Sequence, residues 1–132
     1  MSAELAVYTL LANHTGLGNL VSQRIYADAR PELDPLPAVV YATISDTPTP
    51  PIDATAGLEP CTARVQVNCL CTSAAARKSL TEQVIAALHK QSGSIAGVSV
   101  QAILQSSAGP SQYDALVDVY SQSVDFIVHY LR

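Results

Sequence analysis

The sequence predicts an α+β domain. It calls for an antiparallel or mixed four-stranded (or slightly larger) sheet with two helices packed on one face, in the order α-β-β-α-β-β. Three observations lead there. Cys61 to Cys71 alternates with a period of two, the mark of a strand with one buried face. From Ser73 the period changes to that of a helix, with Ala76, Leu80, Val84, Ala87 and Leu88 on one stripe. Alternating or β-branched runs at Ala38–Ser45, Val98–Ser106 and Val117–Leu131 supply further strands, and Ser2–Ala12 a first helix.

Ser2 offers that first helix an N-cap oxygen, and Glu4 sits in its first turn, where a carboxylate favours the dipole. Leu5, Tyr8 and Ala12 make an apolar row that Val7, Leu10 and Leu11 widen, so the helix is expected to be well buried. Asn13-His14-Thr15-Gly16 ends it, with Gly16 a candidate C-cap. Leu17 to Val21 fits one further short turn, and Arg24-Ile25-Tyr26 a short extended piece. Pro31, Pro35 and Pro37 exclude helix and central strand from the following connector. After the strand at Ala38–Ser45, residues 46–60 form a long Pro-rich loop, longer than a hairpin turn needs.

In the next strand Ala63, Val65, Val67, Cys69 and Cys71 face inward, and Arg64, Gln66 and Asn68 outward, with Leu70 the exception. Thr72 or Ser73 caps the second helix. Gln91 to Gly97 reads as a Ser/Gly loop. Val98, Val100, Ala102 and Leu104 then share one face, with Ile103 opposing. Ser107 to Ser111 has turn chemistry. In the last strand Val124, Phe126, Val128 and Tyr130 alternate with Ser123, Asp125 and His129, and Ile127 breaks the polar side. Leu70, Ile103 and Ile127 are therefore expected as an apolar patch on the far face of the sheet, a feature that marks protein interfaces.

Composition narrows the function. The 132 residues are expected to form one domain, 1–132. Charged residues make up 14% of the chain, against roughly a quarter in ordinary soluble proteins. That deficit points to surface covered by other proteins. A net charge of −4 with scattered basic residues argues against direct phosphate binding. Three cysteines cannot complete a disulfide framework, so a reducing cytoplasmic context is expected. The first residues lack a signal peptide's basic and apolar regions. No stretch approaches the roughly 20 apolar residues of a membrane span.

No catalytic or ligand-binding constellation emerges. Cys61, Cys69 and Cys71, with His14, His89 and His129, sit in no nucleophile motif. Cys69 and Cys71 read as core residues, not metal ligands. The carboxylates form no tight pair, and Gly16-Leu17-Gly18 lacks the preceding strand and lysine of a phosphate loop. The expectation is no enzyme, no metal and no cofactor.

Longer segments carry a resemblance that runs over nearly the whole chain. They are L-L-A at Leu10–Ala12, L-V-S-Q-R-I-Y-A-D-A-R-P at Leu20–Pro31 and L-P-A-V-V-Y-A-T-I-S at Leu36–Ser45. R-V-Q-V-N-C at Arg64–Cys69 follows, leading into a helix of the A-A-R-K-S-L-T-E-Q-V type. Y-S-Q-S-V-D-F-I-V-H-Y at Tyr120–Tyr130 completes the set. In this order they resemble the tail completion, or tail terminator, proteins of long-tailed bacteriophages and phage-derived gene transfer agents. The resemblance implies a non-enzymatic virion part. Such proteins look like sixfold rings that cap the tail tube and dock to the head connector, in particles assembled in the cytoplasm of a bacterial host. Its partners would be further copies of itself, the tail tube protein and a connector or stopper, with DNA passing only as cargo and no membrane. The matching pieces are structural, so no active-site residue is carried over. Two other readings stay open: a head–tail adaptor or stopper, and a small non-viral ligand-binding α+β domain. In a ring, the extended backbone favoured by the loop prolines would let Thr47, Thr49, Ile52, Asp53 and Leu58 lie against a neighbour and carry part of the interface.

Overall fold

Pro60–Cys71 holds the centre of the sheet, and its side chains show why. Cys61, Ala63, Val65, Val67, Cys69 and Cys71 are all buried, and every residue between them is half-buried. A strand so patterned can sit only between a packed core and a wetter face. The computed structural model describes residues 3–22, 24–28, 36–48, 59–116 and 118–131. Its elements are α1 (Ala3–Asn13), α2 (Thr15–Val21), β1 (Ile25–Ala27), β2 (Ala38–Pro48), β3 (Pro60–Cys71), α3 (Ala74–Leu88), β4 (Gly93–Ile95), β5 (Val98–Asp114) and β6 (Val119–Leu131). The strands lie in the order β1-β2-β3-β6-β5-β4. β1 runs parallel to β2, and every other pair is antiparallel.

This corrects the expected four-stranded α-β-β-α-β-β arrangement. Among the described residues the sheet has six strands, and three helices join them in the order α-α-β-β-β-α-β-β-β. The added elements are short and owe their existence to tertiary contacts. α2 resumes after a one-residue break at His14, whose imidazole Nε2 meets Gln83 Oε1 of α3 at 3.1 Å. Gly16 lies inside α2 and is no C-cap; a Cβ there would collide with Gln83 Oε1. β1 is held by its edges, with Val39 N–H donating to Arg24 O and Asp28 N–H to Tyr41 O. β4 turns back on β5 through Ala96 and Gly97, both at positive φ (51° and 82°). Positive φ at both central residues matches the twist of a two-residue hairpin.

Two further expectations change in the packing. α1 buries Ala3, Ala6, Val7 and Leu11, while Leu5, Tyr8 and Ala12 form its exposed row. The small Ala3 and Ala6 let the helix approach closely, so an apolar girth does not mean burial all round. In β5 the register shifts between Val100 and Ala102, and the extra residue reverses the faces. Ile103 consequently enters the core with no exposed surface, and Leu104 turns outward. β2 also runs on through Asp46, Thr47 and Pro48, paired with Ala63, Thr62 and Cys61. Pro48 is tolerated because β1 covers β2 only at Val39–Tyr41, leaving that end of the strand an edge.

One core closes between helices and sheet. α1, α2 and α3 pack on one another, and α3 lies across β3, β6 and β5. Ser73 caps α3, its Oγ accepting the Ala76 N–H at 3.1 Å. Phe126 and Tyr130 on β6 are the largest fully buried side chains. Phe126→Ala is expected to cost about 3–5 kcal/mol of unfolding free energy in a denaturant titration, through lost transfer energy and the cavity left behind. A loss below about 1 kcal/mol would place Phe126 outside the load of the core.

Candidate interaction surface

The core-facing thiols settle what the cysteines can do. Cys61, Cys69 and Cys71 are free and buried. Burial pushes the Cys69 thiol up to about 12, with the Thr81 hydroxyl partly offsetting, and Cys71 up to about 11, with Arg77 partly offsetting. A thiol held protonated in this way is a poor nucleophile and a poor metal ligand. The histidines are engaged elsewhere. His14 meets Gln83, His89 Nδ1 accepts the Gln105 N–H at 3.1 Å, and His129 Nδ1 meets Thr62 Oγ1 at 3.3 Å. Among the described residues no group of three or more His, Cys, Asp or Glu side chains is placed to hold a metal ion.

Opposite the helices, β3 and β6 present Thr62, Arg64, Gln66, Asn68 and Leu70 beside His129, Ile127, Asp125, Ser123 and Ser121. Arg64 crosses this face, its Nη2 donating to Ser106 Oγ at 3.2 Å and its Nη1 lying 3.9 Å from Asp125 Oδ2. The expected patch of Leu70, Ile103 and Ile127 does not form. Ile103 is in the core, Leu104 has taken its place opposite Ile127, and Leu70 lies six residues along β3 from Arg64, the Ile127 partner. That is about 20 Å of polar strand between the two apolar points.

Of the residues expected at an interface, Thr47 is exposed at the outer end of β2, paired with Thr62. Thr49, Ile52, Asp53 and Leu58 lie outside the described residues. Next to Thr47, Asp46 accepts a 2.6 Å hydrogen bond on Oδ2 from the hydroxyl of buried Tyr130. Burial, then this bond and the carboxylate charge, raise the Tyr130 pKa. The outer end of β2 is thereby pinned to β6.

A second surface was not legible in the sequence. At the turn of the β5–β6 hairpin, Leu116 is 96% exposed and Tyr113 51%. Tyr113 and Tyr120 pack with ring centroids 4.5 Å apart and planes tilted by 37°, and the Arg77 guanidinium lies 5.9 Å from the Tyr120 centroid. A depression of about 640 Å³ at the base of this turn is lined by Leu70, Val119, Gln112 and Ser121, among others. Only a change of period at Ser107–Ser111 could have hinted at it, and that change reads as a turn. The structure instead carries β5 straight through as a bulged strand.

The family described as Tail completion protein gp17 matches residues 5–130. Among solved structures, a chain from one described as the virion of a native gene transfer agent (GTA) particle superposes with a TM-score of 0.71. The superposition covers 99% of this chain and 100% of that one, at 17% sequence identity, a likeness of fold. No curated protein matches the chain.

The buried thiols carry a pH signature. Folded, Cys69 and Cys71 hold their protons to about 12 and about 11, whereas a thiol with the ordinary value of 9.0 releases its proton earlier. Their contribution is therefore complete below pH 9 and is lost as pH rises from there through the folded values. Denaturant titrations at neutral pH and at about pH 10.5 are expected to show a smaller alkaline loss in Cys69→Val/Cys71→Val than in the wild type. Tyr41 and Tyr130, also raised, titrate in both proteins and cancel in the comparison.

Proposed function

We propose the following role for this chain, which belongs to the tail completion protein gp17 family: it closes the head-proximal end of a finished tail tube and forms the surface to which the head connector joins. The family is one of structural, non-catalytic virion proteins, and the chain is a tail component of that kind. The observation that carries the reading is the family match over residues 5–130, nearly the whole domain. The same match sets aside the small ligand-binding domain as an alternative.

In this role the subunits form a ring, six being the expected number, with the tail tube protein below and a connector or stopper above. DNA passes through the centre as cargo, and the net charge of −4 favours passage without adhesion. Assembly takes place in the host cytoplasm before the tail joins the head. The low charge of the chain supports several protein contacts per subunit. Thr47, at the outer end of β2, and Thr49, Ile52, Asp53 and Leu58 beyond it are the contacts of this segment with the neighbouring subunit or the tube.

Deleting the gene tests the role. Electron micrographs of the resulting lysate are expected to show tails of uncontrolled length or tails unattached to heads. Normal infectious particles would end the proposal. The segment has its own test in amide hydrogen exchange. Slower exchange at residues 49–58 in the assembled particle than in the free subunit is expected. Equal, fast exchange in both, with infectious particles still formed by a shortened segment, would remove it from the interface.

A further inference from the structure

At the end of the β5–β6 hairpin the described residues are tied to one another yet left exposed. Strand pairing continues to Asp114 and Val119, one position past Tyr120, where the pairing of β3 with β6 ends. Within the turn the Leu116 N–H donates to Asp114 Oδ1 at 3.0 Å, and the Tyr113 hydroxyl donates to Asp118 Oδ1 at 2.7 Å. Asp118 adopts a φ of 53°, a conformation that aspartate tolerates better than most residues. The Tyr113–Tyr120 pair and Arg77 brace the base. These bonds fix Leu116 in a position where it touches almost nothing of its own molecule.

We propose that this tip is a docking knob for a different virion protein, one presenting an apolar socket bordered by Lys or Arg side chains. The assembly in which it acts is taken from the tail role proposed above. Leu116 enters the socket with little ordering cost, because its backbone N–H is already tied to Asp114. Asp114 and Asp118 have no ion-pair partner among the described residues, so a basic rim compensates them on docking.

The same charges argue against other occupants. Nucleic-acid phosphates and anionic membranes are repelled by the two carboxylates. A second copy of this chain fits poorly as well. A further depression among the described residues, of about 360 Å³ between Tyr8, Ala12, Ser22 and Ile25, adjoins Tyr41, against which Tyr8 packs. Glu4 and Asp28 act on that tyrosine, so the depression is bordered by carboxylates and disfavours an acidic tip.

Particles from a strain lacking this protein serve as the probe, mixed with purified wild-type or variant protein. Leu116→Ser is expected to keep the wild-type unfolding midpoint and mass in solution, yet to bind the particles about tenfold or more weakly. Leu116→Met should bind nearly as the wild type does. Asp114→Asn retains the turn acceptor, and is expected to bind more weakly and with a shallower salt dependence. Equal binding by Leu116→Ser and wild type would overturn the knob while leaving the tail role standing. Loss of self-association in Leu116→Ser would overturn it in favour of a second copy as occupant. Failure of the wild type to join particles would bring down the tail role and, with it, the partner inferred here.

Discussion

The structure depends on one uninterrupted register. β3 and β6 pair at every position from Pro60 with Leu131 to Cys71 with Tyr120, with no bulge. That pairing fixes which side chains face the helices. Val65 sits opposite Phe126, Val67 opposite Val124 and Ala63 opposite Val128, and all six are fully buried. A slip of one residue would send all of them to the polar face and bring Arg64, Asp125 and Gln66 into the core, so competing registers are excluded by several kcal/mol of burial. The helices, the flanking strands and both candidate surfaces take their positions from this pair.

The outer strands are irregular where the inner ones are not. β2 shifts register once and β5 three times. The free side of β5 is also blocked: Ile103 exchanges backbone bonds with Lys90 and Gln91, His89 accepts the Gln105 N–H, and Pro110 has no N–H to offer. Bulges and prolines at a sheet edge discourage indiscriminate strand pairing. On the β5 side this leaves side chains and the projecting β5–β6 tip available for contact, whereas the outer end of β2 remains an open edge.

The inner sheet was readable because its alternation is long. Cys61 to Cys71 and Val124 to Tyr130 each state their buried face without help from context, and α3 announces itself by the change of period and the Ser73 cap. What could not be read is whatever tertiary contacts create. β1 and β4 have three residues each, too few for a period, and exist only because β2 and β5 pair with them. A bulge leaves no mark in the residue pattern, so strict alternation from Val98 puts Ile103 on the outward face. The Tyr113–Tyr120 cluster was hidden for the same reason, since Gly109 and Pro110 suggest a turn where β5 continues. The family likeness survived all of this because it rests on the order of the segments and not on the count of strands.

The most direct measurement is electron cryomicroscopy of the complete particle at a resolution that identifies this chain by its side chains. The account requires it at the head-proximal end of the tail, as a closed ring between tube and connector, with the β5–β6 tip seated in a basic-rimmed pocket of an axial neighbour. Finding the chain at the distal tip of the tail, or absent from the particle, would contradict it.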